Sequence, residues 1–341
     1  MGKHVGISLI LIFLIFFLPW LWGEASPAAP DPSPPDQDEE SLPPDQPDPS
    51  PPENAGLDKS LSLNVLVGGE LQQMDMETYL LGVVRAEMPA SFEEEALKAQ
   101  SAAARTYTIY KKINGGSANH PEADACDDIS CCQAYKTYEE AAAGWGADAA
   151  AFEAKIRRAV EATDGDCILY EGTPVLAVFH SASAGTTQDA AAVWSGSLPY
   201  LQSVETPENE ESVPNYRSNA VFSAGELKSI LQTALPEADL SLSPSNWFTN
   251  IHQQPNGTVT ALTVGGVEVG GNQLRTILDL RSACFTISFE EESVVFSVTG
   301  YGHGVGMSQY GANVLASEGM TYKEILTWYY SGTTVEPYQL P

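Results

Sequence analysis

Between Glu24 and Ser60 the chain carries a segment that no hydrophobic core can accommodate. Of its 37 residues, 11 are proline and 10 are acidic, with Lys59 the only base. Such a composition buries too little apolar surface to offset the entropy of ordering it. Residues 24–60 therefore read as a linker, and folded structure is expected from 61 to 341. Proline-rich chain extends by about 3.1 Å per residue, so this tether reaches on the order of 100 Å.

Ahead of the linker, residues 1–23 run from Lys3 and His4 into Val5–Leu18 without a charge, then Trp20 and Trp22. An apolar run of about 20 residues is just long enough to span a bilayer, and tryptophans suit its interface. The segment is either a single-pass transmembrane anchor or a signal segment cleaved near Gly23-Glu24-Ala25. Under both readings the remaining chain lies outside the cytoplasm. With 16 Lys and Arg against 45 Asp and Glu, the net charge is −29. A field of that sign repels nucleic acid and anionic lipid, so no nucleic-acid partner is expected.

The stretch Met76–Lys112 organises the folded part. Met76, Tyr79, Leu80, Val83 and Val84 repeat at the three- and four-residue spacing of one helix face. One further step along that stripe lands on Glu87, and Met88-Pro89 then end the helix. Ser91, followed three residues later by Glu94, reads as the capping box of a second helix. Glu87 thus closes a helix on its apolar side. Burial there raises a carboxyl pKa and suits a general acid, while the plainer alternative is an acid bonded to the next helix start.

Three segments together carry a resemblance. YLLGVVRAEMP with ALKAQSAAARTY, FHSASAGTT at Phe179–Thr187, and GYGHGVGMSQYGA at Gly300–Ala312 are similar to the stage II sporulation protein D family of peptidoglycan-cleaving enzymes. The matched segments extend over roughly residues 62–333 in a consistent order. The resemblance implies a lytic transglycosylase that cleaves between N-acetylmuramic acid and N-acetylglucosamine, with Glu87 as catalytic acid and base. Arg105 and Tyr107 would position or polarise the site.

HPEADACDDISCCQAY offers His120, Cys126, Cys131 and Cys132 within 13 residues, a set suited to a closed tetrahedral zinc site. Family members for which zinc is described use two histidines and two cysteines; here Cys131 stands where they carry a histidine. The resemblance therefore implies a structural Zn2+ at these four positions. The rival reading is a Cys126–Cys132 disulfide with Cys131 free, which an extracytoplasmic location permits. Cys167 and Cys284 read as small buried core residues.

His180-Ser181 ends an apolar strand. Adjacent strand residues face opposite ways, so this pair is not expected to form a nucleophilic dyad. His180 is expected to donate to a sugar or to orient Glu87. In the loop Gly302–Gly311 the alternating glycines allow close backbone approach to a ligand. Ser308 reads as a helix N-cap, and His303, Gln309 and Tyr310 supply groups suited to sugar hydroxyls. The loop holds no Lys and matches neither nucleotide-binding motif.

Strands and helices follow one another without regular β-α alternation, which indicates an α+β fold, in one compact catalytic unit or two lobes with a cleft. Most glycosidases use two carboxylates; a lytic enzyme needs one, since the sugar's own primary hydroxyl attacks. The family also implies a role in engulfment during endospore formation, in the space between mother cell and forespore. Expected partners are glycan strands stripped of stem peptides and the stage II sporulation proteins P and M. The competing reading is a non-catalytic glycan-binding module that enhances a cell-wall amidase.

Overall fold

Small residues let one long helix sit at the centre of the first lobe. A computed structural model describes residues 56–117, 119–194, 196–291 and 293–340. The chain enters through α1 (Leu57–Ser60) and the antiparallel pair β1 (Ser62–Val67) and β2 (Glu70–Asp75). Next come α2 (Met76–Glu87) and the twenty-residue α3 (Glu94–Ile113). Ala96, Ala99, Ala102, Ala103 and Ala104 of α3 are fully buried and allow close approach from several sides. The strand β3 (Ala125–Cys126) adds in parallel to β1. The helices α4 (Tyr138–Trp145) and α5 (Ala149–Glu161) pack on α2, and α5 also packs on α3.

A tight hairpin follows, β4 (Asp166–Tyr170) and β5 (Thr173–Pro174), turning at Glu171 and Gly172, both at positive φ. The apolar run Pro174–His180 suggests one continuous strand, but it is broken after Pro174 and only β6 (Phe179–His180) resumes it, before the short α6 (Ala190–Val193). A second core is inserted from β7 (Arg217–Ser223) onward. It comprises α7 (Ala224–Ala234), β8 (Phe248–Gln253), β9 (Val259–Val264), β10 (Val267–Gly270), α8 (Gly271–Ile277), β11 (Phe285–Phe289) and β12 (Ser293–Thr299). Its two three-stranded sheets run β10-β9-β8 and β11-β12-β7. Phe296 meets the rings of Phe222, Phe248 and Phe285 edge-on in this core.

The chain then returns to the first lobe as β13 (Met307–Ser308), α9 (Gln309–Ser317), α10 (Tyr322–Tyr329) and β14 (Thr334–Pro337). Strand β13 pairs in parallel with β6, and β14 pairs with β4. The architecture is mixed helix and strand with two hydrophobic cores. Among the described residues no helix is long and apolar enough to cross a membrane. The expected anchor or signal segment 1–23, and the linker as far as residue 55, lie outside the described residues.

Three expectations need correction. Residues 57–60 belong to the fold rather than the linker, because the Asp164 carboxylate accepts the amides of Gly56, Leu57 and Asp58 at 2.6–2.9 Å. The helix α3 begins at Glu94 without the Ser91 capping box; its N-cap is Glu93, whose amide donates to Asn313 Oδ1 from α9 (2.7 Å). A cap supplied across 220 residues leaves no local signature. Polar and proline residues over Pro199–Asn219 suggest an exposed loop, but Leu201, Thr206 and Glu208 within it are buried.

The first lobe is tied together by a buried ion pair. Arg105, fully buried, forks onto Asp58 through Nε to Oδ1 (2.7 Å) and Nη2 to Oδ2 (2.6 Å). It also donates to the Asp166 carbonyl (3.1 Å), linking α1, α3 and β4. Breaking such a pair strands the other charge in the interior. Arg105→Met should therefore cost about 3–5 kcal/mol in denaturant unfolding, and adding Asp58→Asn should recover part of that loss.

Candidate active site

Glu87 ends α2 where Pro89 forbids continuation, and Asp75 caps the other end by accepting the Thr78 amide (2.7 Å). Its carboxyl is half-buried, and Oε1 accepts the Ala134 amide at 2.8 Å. Burial raises its pKa above the usual carboxylate range; the Ala134 amide and the Gln309 side chain offset part of that rise. None of the groups acting on Glu87 is a second carboxylate among the described residues.

Gln309 begins α9, so the glycine-loop motif delivers it to the acid. Its Nε2 also donates to Gln100 Oε1 (3.3 Å), a fully buried amide on α3. The Gln100 nitrogen has no partner, leaving a buried donor beside the Glu87–Gln309 pair. Gln100 was not singled out in the sequence. Its signal was a polar side chain amid the alanines of the α3 core.

The second group lies around the β6–β13 pairing. His180 is buried, with Nδ1 3.1 Å from the Val305 carbonyl and Nε2 2.6 Å from Ser183 Oγ. The carbonyl makes Nδ1 the donor, so Nε2 accepts from the Ser183 hydroxyl. His303 Nδ1 accepts the Val305 amide (3.1 Å), and its ring lies 5.7 Å from that of His180 and 5.4 Å from Trp194. Burial, then the neighbouring His303, pushes His180 down to about 3; burial and the Arg275 charge push His303 down to about 4. Both rings are neutral at physiological pH.

Gly302 and Gly306 hold positive φ, and a side chain on them would strike His180 and the Val178 carbonyl respectively. The glycine spacing therefore serves close packing of the loop on β6. Ser308 caps α9, accepting the Gly311 amide (3.3 Å) while its hydroxyl donates to Glu208 Oε1 (2.5 Å). Buried Glu208 also accepts the Ser183 amide (2.7 Å) and the Thr206 hydroxyl. This carboxylate binds both halves of the site; in the sequence it stands among Glu205, Glu210 and Glu211 with nothing local to mark it.

Several expected site residues take other places. Arg105 cannot touch a ligand, being fully buried against Asp58. His180 has both ring nitrogens engaged within the protein, which leaves it no free donor for a sugar. The Ser181 carbonyl accepts the Tyr310 amide (3.0 Å), and Tyr310 packs edge-on against Phe92 at 4.9 Å. Tyr107 donates to the Cys131 carbonyl (3.1 Å) and belongs with the cysteine segment.

In that segment Cys126, Cys131 and Cys132 bring their sulfurs within 4.8 Å of one another. All five cysteines are free thiols, with Cys167 and Cys284 buried as expected. His120 is not in the group; its Nδ1 lies 4.0 Å from Glu122 Oε1. The turn that places the Ser117 hydroxyl 3.5 Å and 3.3 Å from the Cys126 and Cys131 sulfurs leaves His120 half-exposed. Three convergent thiols are a donor set that suits a soft ion such as zinc. Two residues beyond Cys132, Ala134 supplies the amide that holds Glu87.

A family profile described as "Stage II sporulation protein" matches residues 68–170. The chain is 36% identical over 265 residues to stage II sporulation protein D of Bacillus subtilis, covering 78% of this chain and 75% of that protein. It is 35% identical to the Bacillus amyloliquefaciens protein of the same name, with the same coverage. An amidase enhancer of Bacillus subtilis is 28% identical over 306 residues, covering 76% of this chain and 40% of that one.

The two depressed histidines have a consequence for acid stability. The unfolded chain takes up protons on them below about 6.5, whereas the folded chain does so only near 4 and 3. Their stabilisation is thus fully present above about pH 6.5 and is lost as pH falls toward those values. His303→Gln should flatten the decline of melting temperature between pH 6.5 and 4, measured against the parent chain.

Proposed function

The chain belongs to the stage II sporulation protein D family, and from that premise we propose that it cleaves the glycan strands of peptidoglycan as a lytic transglycosylase. The observation that carries this reading is Glu87, a half-buried carboxyl with a raised pKa and no second carboxylate acting on it. Such a group is protonated at higher pH than a solvated acid and can give its proton to the glycosidic oxygen between N-acetylmuramic acid and N-acetylglucosamine. The resulting carboxylate takes the proton from the sugar's primary hydroxyl as that oxygen attacks the anomeric carbon. An anhydro ring closes without an activated water, and proximity within one sugar supplies the entropic advantage. The Ala134 amide, 2.8 Å away, steadies the carboxylate, and the Gln309 side chain favours its charged form.

Zinc held by Cys126, Cys131 and Cys132 would be structural and would order the segment that ends in Ala134. In the cell, the apolar segment 1–23 and the linker would hold the domain outside the membrane, at the wall between mother cell and forespore. The stage II sporulation proteins P and M are the proposed partners, with P exposing bare glycan. A second reading, that the chain binds glycan and enhances an amidase without cutting, is favoured by its similarity to the amidase enhancer.

Turnover separates the two readings. The full chain in mild detergent should release anhydro-ended fragments from purified glycan strands, with activity falling as pH rises through the Glu87 pKa. Glu87→Gln should keep glycan binding and lose at least about a hundredfold in rate. Binding without release by the parent chain would favour the enhancer reading. Elemental analysis of the reduced protein should give one zinc per chain, lost in Cys126→Ser and retained in His120→Ala.

A further inference from the structure

A fully buried amide on α3 is only half satisfied. Gln100 stands among Ala96, Ala99, Ala103 and Ala104, all of them fully buried. Its Oε1 accepts Gln309 Nε2 at 3.3 Å, while its own Nε2 has no partner. A buried donor left unpaired is destabilising, and an apolar side chain of the same size would remove that cost. Among the described residues the one bond this side chain makes runs to Gln309, which is itself buried at the start of α9. Stability alone therefore gives no reason for a glutamine at this place.

The bond bears on which end of the Gln309 amide meets Glu87. An amide has two N–H donors at one end and a carbonyl acceptor at the other, and a half turn exchanges them. The donor end favours a carboxylate, the acceptor end a protonated carboxyl. Gln309 favours the carboxylate of Glu87, so its Nε2 faces that group. One hydrogen of Nε2 goes to Gln100 Oε1, which leaves the other for Glu87. A half turn of Gln309 would set its carbonyl against that of Gln100, two acceptors in contact. The other titratable groups of the surrounding elements are engaged elsewhere. Arg85 of α2 forks onto Glu153 of α5, Lys155 of α5 donates to the Phe92 carbonyl, and Glu140 of α4 accepts from Thr137. Tyr107 of α3 donates to the Cys131 carbonyl, and Tyr310 of α9 packs on Phe92. Among the described residues none of these acts on Glu87.

We infer that Gln100 is a positioning residue for Glu87: by taking one hydrogen of the Gln309 amide, it commits the other to the carboxylate that forms as Glu87 gives up its proton. This role rests on the glycan-cleaving reading of that acid. Negative charge develops on Glu87 in the step that protonates the glycosidic oxygen, and a donor already aimed there needs no reorganisation. Without the Gln100 acceptor the Gln309 amide is free to turn, and the carboxylate loses that donor for part of the time. Gln100 itself is fully buried and touches no substrate.

The test reads the Glu87 carboxyl itself, by carbon NMR of the full-length chain in mild detergent, labelled at its glutamate carboxyls. The Glu87 signal is the one missing from Glu87→Gln. Gln100→Met fills similar space with neither acceptor nor donor. Its Glu87 pKa should rise by about half a unit or more, because a bond to the charged form is lost. The fall of glycan-strand release with rising pH should move up by the same interval, with the rate below that limb about tenfold lower. The melting temperature should not drop, since the unpaired donor goes as well. Gln309→Met should raise the pKa at least as far, and the double variant no further than Gln309→Met alone, because Gln100 acts through Gln309. Gln100→Ala is a second, smaller replacement and should shift the pKa in the same direction. An unchanged Glu87 pKa in both Gln100 variants would overturn the assignment, as would shifts that add in the double variant. The titration needs no turnover, so failure of this assignment and failure of the glycan-cleaving reading are told apart.

Discussion

The site depends on a short parallel pairing between Phe179–His180 and Met307–Ser308. More than a hundred residues separate these strands, and the whole second lobe is looped out between them. Two residues of ladder are weak by themselves, so the join is reinforced by side chains. Glu208 accepts from Ser183 on one side and from Ser308 on the other, and His180 reaches across to the Val305 carbonyl. Charge-assisted bonds of this kind are among the stronger ones available in a low-dielectric interior. Because Ser308 caps α9, the same join aims Gln309 at Glu87.

The two ends of the site are tuned in opposite directions by the same cause. Burial disfavours charge, so it raises the carboxyl of Glu87 and lowers the imidazoles of His180 and His303. All three groups are thereby biased toward their neutral forms. A neutral carboxyl can donate a proton. A neutral imidazole with both nitrogens engaged is a fixed strut, which is how His180 serves here. The cysteine segment completes the frame from a third direction, since Ala134 follows it directly in the chain.

Ion pairs in the first lobe lie at graded depth. Arg105 on Asp58 is fully buried, Arg85 on Glu153 partly so, and Arg158 on Glu94 is exposed. In the inserted lobe Arg275 and Arg281 bond to backbone carbonyls, while Arg217 pairs with Glu210. Only the first of these pairs is desolvated enough for its loss to strand a charge in the interior.

How much of this was legible in the sequence follows from the range of the interactions involved. The helix ending in Glu87, the Ser308 cap, the turns at Glu171-Gly172 and Asn256-Gly257 and the thiol cluster all rest on neighbours within a few residues. Periodicity, capping and turn chemistry read such contacts directly. What a polar side chain does is another matter, because it depends on which distant partner desolvates or satisfies it. The motif around Arg105 looked like part of a site, yet Asp58 and the Asp166 carbonyl claim that side chain in the core. Glu208 stands in the sequence among Glu205, Glu210 and Glu211, yet it is the buried joint between two motifs. Asn313 caps a helix that begins at Glu94, and His120 stands outside the thiol group its spacing suggested. The sequence by itself determined the helices, the turns and the place of the acid, since these are local. Only the tertiary structure decided which polar groups are buried, paired or free, because long-range topology sets both the partners and the cost of desolvation.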